Sequence, residues 1–449
     1  MKFSKAKSIF QKFKWDIFAC IVIAIIIIAI GFRINAWTGA LKGDDAYLHA
    51  GMVQYVLDSF PHLDWLHQFH NGYPPLQFAE VTFYMLFAFL HLITGLTIVS
   101  LLQMSLCFSM IFIGISTYVL ARVIKIPRLL AIGFSLILFS MSNMWNQSII
   151  GGGYNRVLAF PFAFLSLTLT YIYAKNVNSH IKDIKNYIAV VSVFTILAFL
   201  HPLIWQWTFL FILGILGVGI NGWRNKLLNV FKTILPVAGL AAWLYIPLLH
   251  SYGSSVTNDT ASMLFKWLVY VPSRNVWSID LGMLILPLAL LGLIIAGINY
   301  KRISINSSAV KLELKIVALF SVFCPYYFAY GWLHMPKYTY LMAAYDYCLW
   351  FGISLVILSI FTFSILYQAG IFLNAWKYFI IFLEFTFVPI AVLACVLTVP
   401  FLQGFTQADN PDDFHSLSYN IKQIVEHANK NSGSGYRLFN NQRILTRWL

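Results

Sequence analysis

The chain is short of charge above all. Only 10% of its 449 residues are Asp, Glu, Lys or Arg, against about 25% in a soluble globular protein. A soluble chain of this length folds as two or three domains, whose combined surface needs far more charge than is available. That deficit excludes an ordinary cytosolic enzyme, and 60% hydrophobic residues exclude a disordered chain. Cysteine is scarce too. Cys20, Cys107, Cys324, Cys348 and Cys395 fall within or at the edge of apolar runs, and none pairs in a metal-ligand spacing. They read as small buried hydrophobes and exclude a secreted disulfide scaffold. Internal repeats are lacking, which counts against an inverted-repeat transporter. Acids are scarcer than bases, 16 against 30. In a soluble protein the resulting +14 would point to nucleic acid. Here it reads as positively charged cytoplasmic loops, with no nucleic-acid partner.

What is present is a series of long apolar runs. They predict an all-α polytopic membrane protein with the lipid bilayer as its solvent. Lys2, Lys5, Lys7, Lys12 and Lys14 precede the run Ile17 to Phe32. No small-residue cleavage site follows, so this is an uncleaved first span with a cytoplasmic N-terminus. Further spans are expected over 98–121, 129–146, 157–174, 187–203, 204–220, 232–250, 281–300, 316–333, 347–367 and 378–403. That makes about 11 transmembrane helices, each near the ~20 residues a bilayer core requires. The segment 76–95 carries Glu80 and His91 and is placed as a helix lying at the outer interface. Charge counting decides this. The inner loops then hold nineteen Lys and Arg, while the outer loops hold Arg33, Lys42, Arg156, Lys266, Arg274 and Lys337. Counting 76–95 as a span would invert every later loop and destroy the bias.

The domain reading follows. Residues 1–403 form a transmembrane domain, with 33–97 as its first extracytoplasmic loop, and 404–449 form a short extracytoplasmic C-terminal segment. In that segment Pro411, among Asp409, Asp412 and Asp413, marks a helix start. Leu417, Ile421, Ile424, Val425 and Ala428 follow at helical spacing, then NSGSG and a strand-like YRLF. This α/β-like tail is too short for a core of its own. It is expected to lean on the membrane domain or to be a truncated form.

Chemistry concentrates on the predicted outer face, where Asp44, Asp45, Asp58, Asp64, Glu80, Asp259, Asp280 and Asp346 lie. The stretch Gly43-Asp44-Asp45-Ala46-Tyr47-Leu48-His49 opens an amphipathic helix. Its apolar face is read as Leu48, Met52, Tyr55 and Val56, with Asp45 and His49 four apart on another. Asp44 suits an N-cap and Asp45 a first-turn charge. Two adjacent acids at the mouth of so hydrophobic a chain favour a functional role. Asp45 and His49 are the candidate pair for a divalent metal ion. His62, His67 and His70 share the loop without a recognised ligand spacing and read as interfacial residues beside Trp65 and Phe69. Asn71-Gly72-Tyr73-Pro74-Pro75 is a rigid turn into the interfacial helix.

Farther along, Gly151-Gly152-Gly153-Tyr154-Asn155-Arg156 allows close backbone approach around a single cation. The planar guanidinium of Arg156 suits phosphate. His201-Pro202 stands at the outer end of another span and either ends a helix or faces the same cavity. Lys266, Arg274, His334 and Lys337 complete the outer cations. Glu384, within the last span, must face protein or water.

These strings resemble the GT-C superfamily of integral-membrane glycosyltransferases. The shared features are an in-facing N-terminus, one span, then a long outer loop with an acidic pair before membrane-parallel helices. GDDAYLH followed by GYPPLQF, then GGGYNRVLAF and the His-Pro span end, is most similar to bacterial multi-pass proteins labelled "6-pyruvoyl-tetrahydropterin synthase-related". The resemblance covers roughly residues 15–205. It implies an enzyme of the bacterial plasma membrane that moves a sugar from a polyprenyl-phosphate donor to an envelope glycan, lipid or protein acceptor on the extracytoplasmic face. On that reading Asp44 or Asp45 is the base. Arg156 leads the phosphate contacts, with Arg274 and Lys337 behind it, and His49, Tyr73, Tyr154 and His201 line the substrate site. The rival expectations are a lipid or sugar transporter or flippase, and a non-catalytic scaffold for envelope assembly.

Overall fold

Hydrocarbon offers no water to backbone polar groups, so a spanning segment must bond internally, and a helix does this within one segment. The computed structural model follows that rule. It describes residues 2–37, 41, 46–62, 81–141, 144–145, 153–179, 181, 184–255, 285–305, 307–332, 344–371 and 377–407, and every regular element among them is helical. In chain order these are α1 Lys2–Arg33, α2 Ala46–Ser59, α3 Val81–Thr94, α4 Ile98–Val123 and α5 Arg128–Ile137, which tightens into a 3₁₀ turn over Leu138–Ser140. Then come α6 Tyr154–Asn178, α7 Ile184–Leu200, α8 Pro202–Gly219, α9 Trp223–Ser255 and α10 Ile285–Ile298. Last are α11 Tyr300–Ile305, α12 Ser307–Trp332, α13 Ala344–Gln368 and α14 Lys377–Gln407. Each predicted apolar segment is largely helical over its described residues, although 187–203 is broken at His201, between α7 and α8. Among the described residues four helical stretches are long and apolar enough to cross a membrane: Lys14–Arg33, Ile98–Val123, Tyr154–Asn178 and Leu349–Gln368. Asp44, Asp45, Tyr73, Arg274, Lys337 and the tail beyond Gln407 lie outside the described residues.

Packing separates central helices from peripheral ones. The apolar stretch of α13 is 100% buried, whereas that of α1 is 28% buried. Accordingly Trp15, Phe18, Ile21 and Ile25 of α1 are exposed, as suits a face turned to hydrocarbon. α6 packs against α4, α7 and α8, and α13 lies between α10 and α12. Burying polar groups among these helices requires partners. Most serine and threonine hydroxyls supply their own by donating to the carbonyl one turn back, as Thr168 does to Phe164 at 2.9 Å.

The charged exceptions are tied as well. Asp16 Oδ1 accepts from Tyr118 Oη at 2.7 Å, Arg122 Nε at 2.9 Å and Arg128 Nε at 3.1 Å, which joins α1, α4 and α5. Buried Glu313 accepts from Tyr171 Oη at 2.5 Å, linking α12 to α6. Glu384 accepts from Tyr367 Oη and so joins α14 to α13. Glu384 thus faces protein, as its cost in lipid demands.

One face differs from the sequence expectation. On α2 the buried residues are Ala46, His49, Met52, Val53 and Val56, with Leu48 and Tyr55 at the edges. Both α3 and α4 cover α2, so the inward stripe is turned toward His49 and Val53. His49 belongs to the interior, not to a separate polar face.

Candidate functional site

His49 is the centre of the site. It is 5% exposed, and its Nδ1 lies 3.0 Å from the Tyr84 hydroxyl of α3. Aromatic rings enclose it: Phe83 at 5.7 Å, Tyr84 at 5.7 Å and Tyr154 at 6.3 Å between centroids. Such a pocket disfavours the imidazolium ion. Burial, and secondly the Arg156 guanidinium, push the His49 pKa down to about 3.

Tyr154 and Arg156 come from the first turn of α6, which begins after Gly153. Tyr154 is fully buried, while Arg156 is half-buried. The Arg156 backbone N–H donates to Asn155 Oδ1 at 2.8 Å, which ties up the first turn and fixes where the guanidinium starts. His201 arrives from a third direction, at the turn between α7 and α8. Its extended backbone (φ −159°, ψ 113°) caps α8, with Pro202 at the first helical position, where a missing N–H costs nothing. The Ile204 N–H donates to His201 Nδ1 at 3.4 Å. An amide can only donate, so in the neutral ring the proton is on Nε2. Burial, then Arg156, then His49 hold the His201 imidazole well below its ordinary pKa. Arg156 therefore acts electrostatically on both histidines, and the two imidazoles act on each other.

The structure thus brings together His49, Tyr154, Arg156 and His201, from stretches read separately in the sequence. His201 both ends a helix and belongs to this cluster. His62 is exposed just beyond α2. Two members escape the sequence reading, Phe83 and Tyr84. Both belong to the segment 76–95, which that reading treats only as a span or an interfacial helix. An aromatic pair just after Glu80, at the start of an apolar helix, was the available signal.

Chemically, a half-buried guanidinium that acts electrostatically on two buried imidazoles offers one fixed charge that suits an oxyanion. It is a poor place for a strong base, because an imidazole at pKa about 3 holds no useful proton affinity near neutrality. Of the candidate metal pair only His49 is described, and Asp45 lies outside the described residues. Among the described residues no group of three His, Cys, Asp or Glu side chains is placed to hold a metal ion.

No family model and no curated protein matches this sequence. Among solved structures, similarity extends to the oligosaccharyltransferase AglB of Archaeoglobus fulgidus in complex with an inhibitory peptide and a dolichol-phosphate. That match has 15% identity and a TM-score of 0.48, and it covers 97% of this chain and 61% of that one. The Archaeoglobus fulgidus oligosaccharyltransferase in complex with Zn and sulfate aligns at 16% identity and TM-score 0.45, over 84% of this chain and 53% of that one. Its apo form aligns at 13% identity and TM-score 0.46, over 88% and 56%. This chain spans between about half and three-fifths of the length of the proteins it resembles.

Proposed function

We propose that this protein is a GT-C-like membrane glycosyltransferase that moves a sugar from a polyprenyl-phosphate donor to a cell-envelope acceptor on the extracytoplasmic face. One observation carries the reading. His49, buried on α2, packs on Tyr154 at 6.3 Å between centroids, in the first α6 turn that also carries Arg156. Four stretches with the length and apolarity to cross a membrane suit a lipid-linked substrate, and the likeness of GDDAYLH, GYPPLQF and GGGYNRVLAF to the pyruvoyl-tetrahydropterin-synthase-related branch adds to it. In this proposal eleven helices cross the bacterial plasma membrane, with the N-terminus inside and the C-terminal segment outside.

Each residue takes one part in the reaction. An acceptor hydroxyl attacks the anomeric carbon while Asp44 or Asp45 takes its proton. The bond from that carbon to the donor phosphate oxygen breaks, and the electron pair leaves with the lipid phosphate. Arg156 stabilises the charge that develops there, and the Nε2–H of His201 donates to it. His49, held by Tyr84, completes the wall together with Tyr154. Tyr73, Arg274 and Lys337 are proposed as further contacts to donor or acceptor.

The test compares envelope glycans from cells carrying the wild type, Asp44→Asn/Asp45→Asn or Arg156→Ala, at matched protein levels. Loss of one glycan or glycan modification in both variants is the expected result. Unchanged glycans would favour a transporter or a scaffold instead.

A further inference from the structure

α8 runs from Pro202 to Gly219, about 27 Å at 1.5 Å per residue. That is close to the ~30 Å of a bilayer's hydrocarbon core, so the Gly219 end stands at the opposite membrane interface from His201. This end is tightly tied. Asn178, at the end of α6, donates from Nδ2 to the Gly219 carbonyl at 2.7 Å and accepts the Asn221 N–H at 2.9 Å. Gly222, at φ +77°, then turns the chain into α9. Asn221 Oδ1 in turn accepts from Lys315 Nζ of α12 at 3.2 Å. A Cβ at Gly219 would meet Leu312 Cδ1 at 2.9 Å, so the start of α12 lies directly against the end of α8.

Three ammonium groups gather at this turn. Lys311 and Lys315 are four apart on α12 and share a face, and Lys226 comes from the first turn of α9. Lys311 is exposed, whereas Lys226 and Lys315 are half-buried. Burial first, and then the charges of Lys226 and Lys311, push the Lys315 pKa down, so the three share one field. Glu313, between the two α12 lysines in sequence, is buried and turned to Tyr171 Oη at 2.5 Å. Among the described residues none of the three lysines is in an ion pair with a carboxylate. The C-terminal ends of α6 and α8 each offer about half a negative charge, which leaves roughly two positive charges unbalanced.

Beside the cluster is a surface for hydrocarbon. Trp223 is exposed, with the Arg224 guanidinium 5.4 Å from its ring. Lys226 and Leu227 follow it at three and four positions, so both neighbour it on the helix surface. From there Leu227, Phe231 and Leu235 continue as an exposed apolar ridge. A tryptophan between a basic group and an apolar ridge is placed as at headgroup level, where its ring meets both water and hydrocarbon. A soluble anion would meet the lysines alone, whereas a phospholipid meets lysines and ridge together. We infer that Lys226, Lys311 and Lys315 form a headgroup site for an anionic phospholipid in the leaflet opposite His201, with an acyl chain along the α9 ridge. This site stands apart from the proposed reaction and takes a lipid that is not its substrate.

The experiment uses the full chain in phosphatidylcholine nanodiscs doped, over a series of fractions, with a lipid brominated on one acyl chain near the headgroup. The two probes are brominated phosphatidylglycerol and brominated phosphatidylcholine. Bromine quenches nearby indole fluorescence, and the Trp223 share is the signal that Trp223→Phe removes. Brominated phosphatidylglycerol is expected to quench Trp223 at about tenfold lower fraction, since each lysine near the surface adds attraction for an anionic lipid. Lys226→Gln/Lys311→Gln/Lys315→Gln is expected to erase that preference. Lys12→Gln/Lys14→Gln/Lys125→Gln, which removes as much charge from α1 and the turn after α4, is expected to keep it within about twofold. Loss of the preference in both triple variants overturns a defined site in favour of a diffuse field, and its survival in the first variant overturns the role of those lysines. Equal quenching by the two lipids in the wild type overturns lipid binding and leaves the lysines to a soluble acidic partner. That wild-type comparison, with the Lys12/Lys14/Lys125 variant, decides the matter if the first variant does not fold.

Discussion

Tyr84 and His49, 35 positions apart in the chain, meet at 3.0 Å through the phenol oxygen and Nδ1. This contact joins α3 to α2 and fixes the ring that packs on Tyr154. Removing the hydroxyl in Tyr84→Phe leaves a buried ring nitrogen without that partner, at a cost of about 1–3 kcal/mol. Thermal unfolding in detergent should show the loss. The same variant should bind lipid phosphate more weakly, because His49 is no longer held in place.

Acid should destabilise the protein through its histidines. An unfolded histidine titrates near 6.5, while folded His49 is pushed down to about 3 and folded His201 also lies well below its ordinary value. Between those limits the unfolded chain binds protons that the native chain does not, so stability rises with pH. For His49 the contribution is fully present above about 6.5 and is lost as pH falls toward 3, at up to about 1.4 kcal/mol per pH unit. Denaturation midpoints measured from pH 7 to pH 4 should fall steeply for the wild type and less steeply for His49→Gln. A flat profile for the wild type would count against burial of these rings.

Gly31 carries a steric prediction. A Cβ there would stand 1.8 Å from Trp37 Cε2. Trp37 cannot easily yield, since its Nε1 donates to the Ile28 carbonyl at 3.1 Å and its ring meets Trp145 at 6.1 Å. Gly31→Val should cost about 1–3 kcal/mol or more by overpacking. Gly51, in the middle of α2, is open: a Cβ added there would meet nothing within 4 Å. Gly51→Ala should therefore be neutral or stabilising by up to about 1 kcal/mol. The melting temperature of Gly31→Val should fall, and that of Gly51→Ala should hold or rise.

The fold was largely legible because its dominant force was. Apolar runs such as 98–121 and 347–367 lie on α4 and α13, and the caps that bound them, Thr97 and His201, are local chemistry. The site was legible in part. Arg156 stood out as a lone cation in its loop, and His49 as a histidine one turn from an acidic pair. What could not be read was which face of α2 points inward, because that depends on cover from α3 and α4 together. Tyr84 escaped for the same reason. Its role is set by a partner 35 residues away, and no spacing rule links them. Asp16 was hidden among the N-terminal lysines although it pairs with Arg122 and Arg128.

That Asp16 cluster supplies a control. It stands at the far end of α4 from the His49 site, and its side chains are 21–42% exposed, so solvent screens it. Asp16→Asn should cost only about 1 kcal/mol. It should leave lipid-phosphate binding unchanged, as measured with the same nanodisc preparation.

The central claim is that Arg156 and its neighbours receive the phosphate leaving a lipid-linked sugar. Its most direct test measures release of polyprenyl phosphate from a radiolabelled polyprenyl-phosphate hexose by the purified protein in nanodiscs. The expected result is release by the wild type, slowed at least about a hundredfold in Arg156→Ala and abolished in Asp44→Asn/Asp45→Asn. Equal release by all three proteins, or none by any across the hexose donors tried, would contradict the claim.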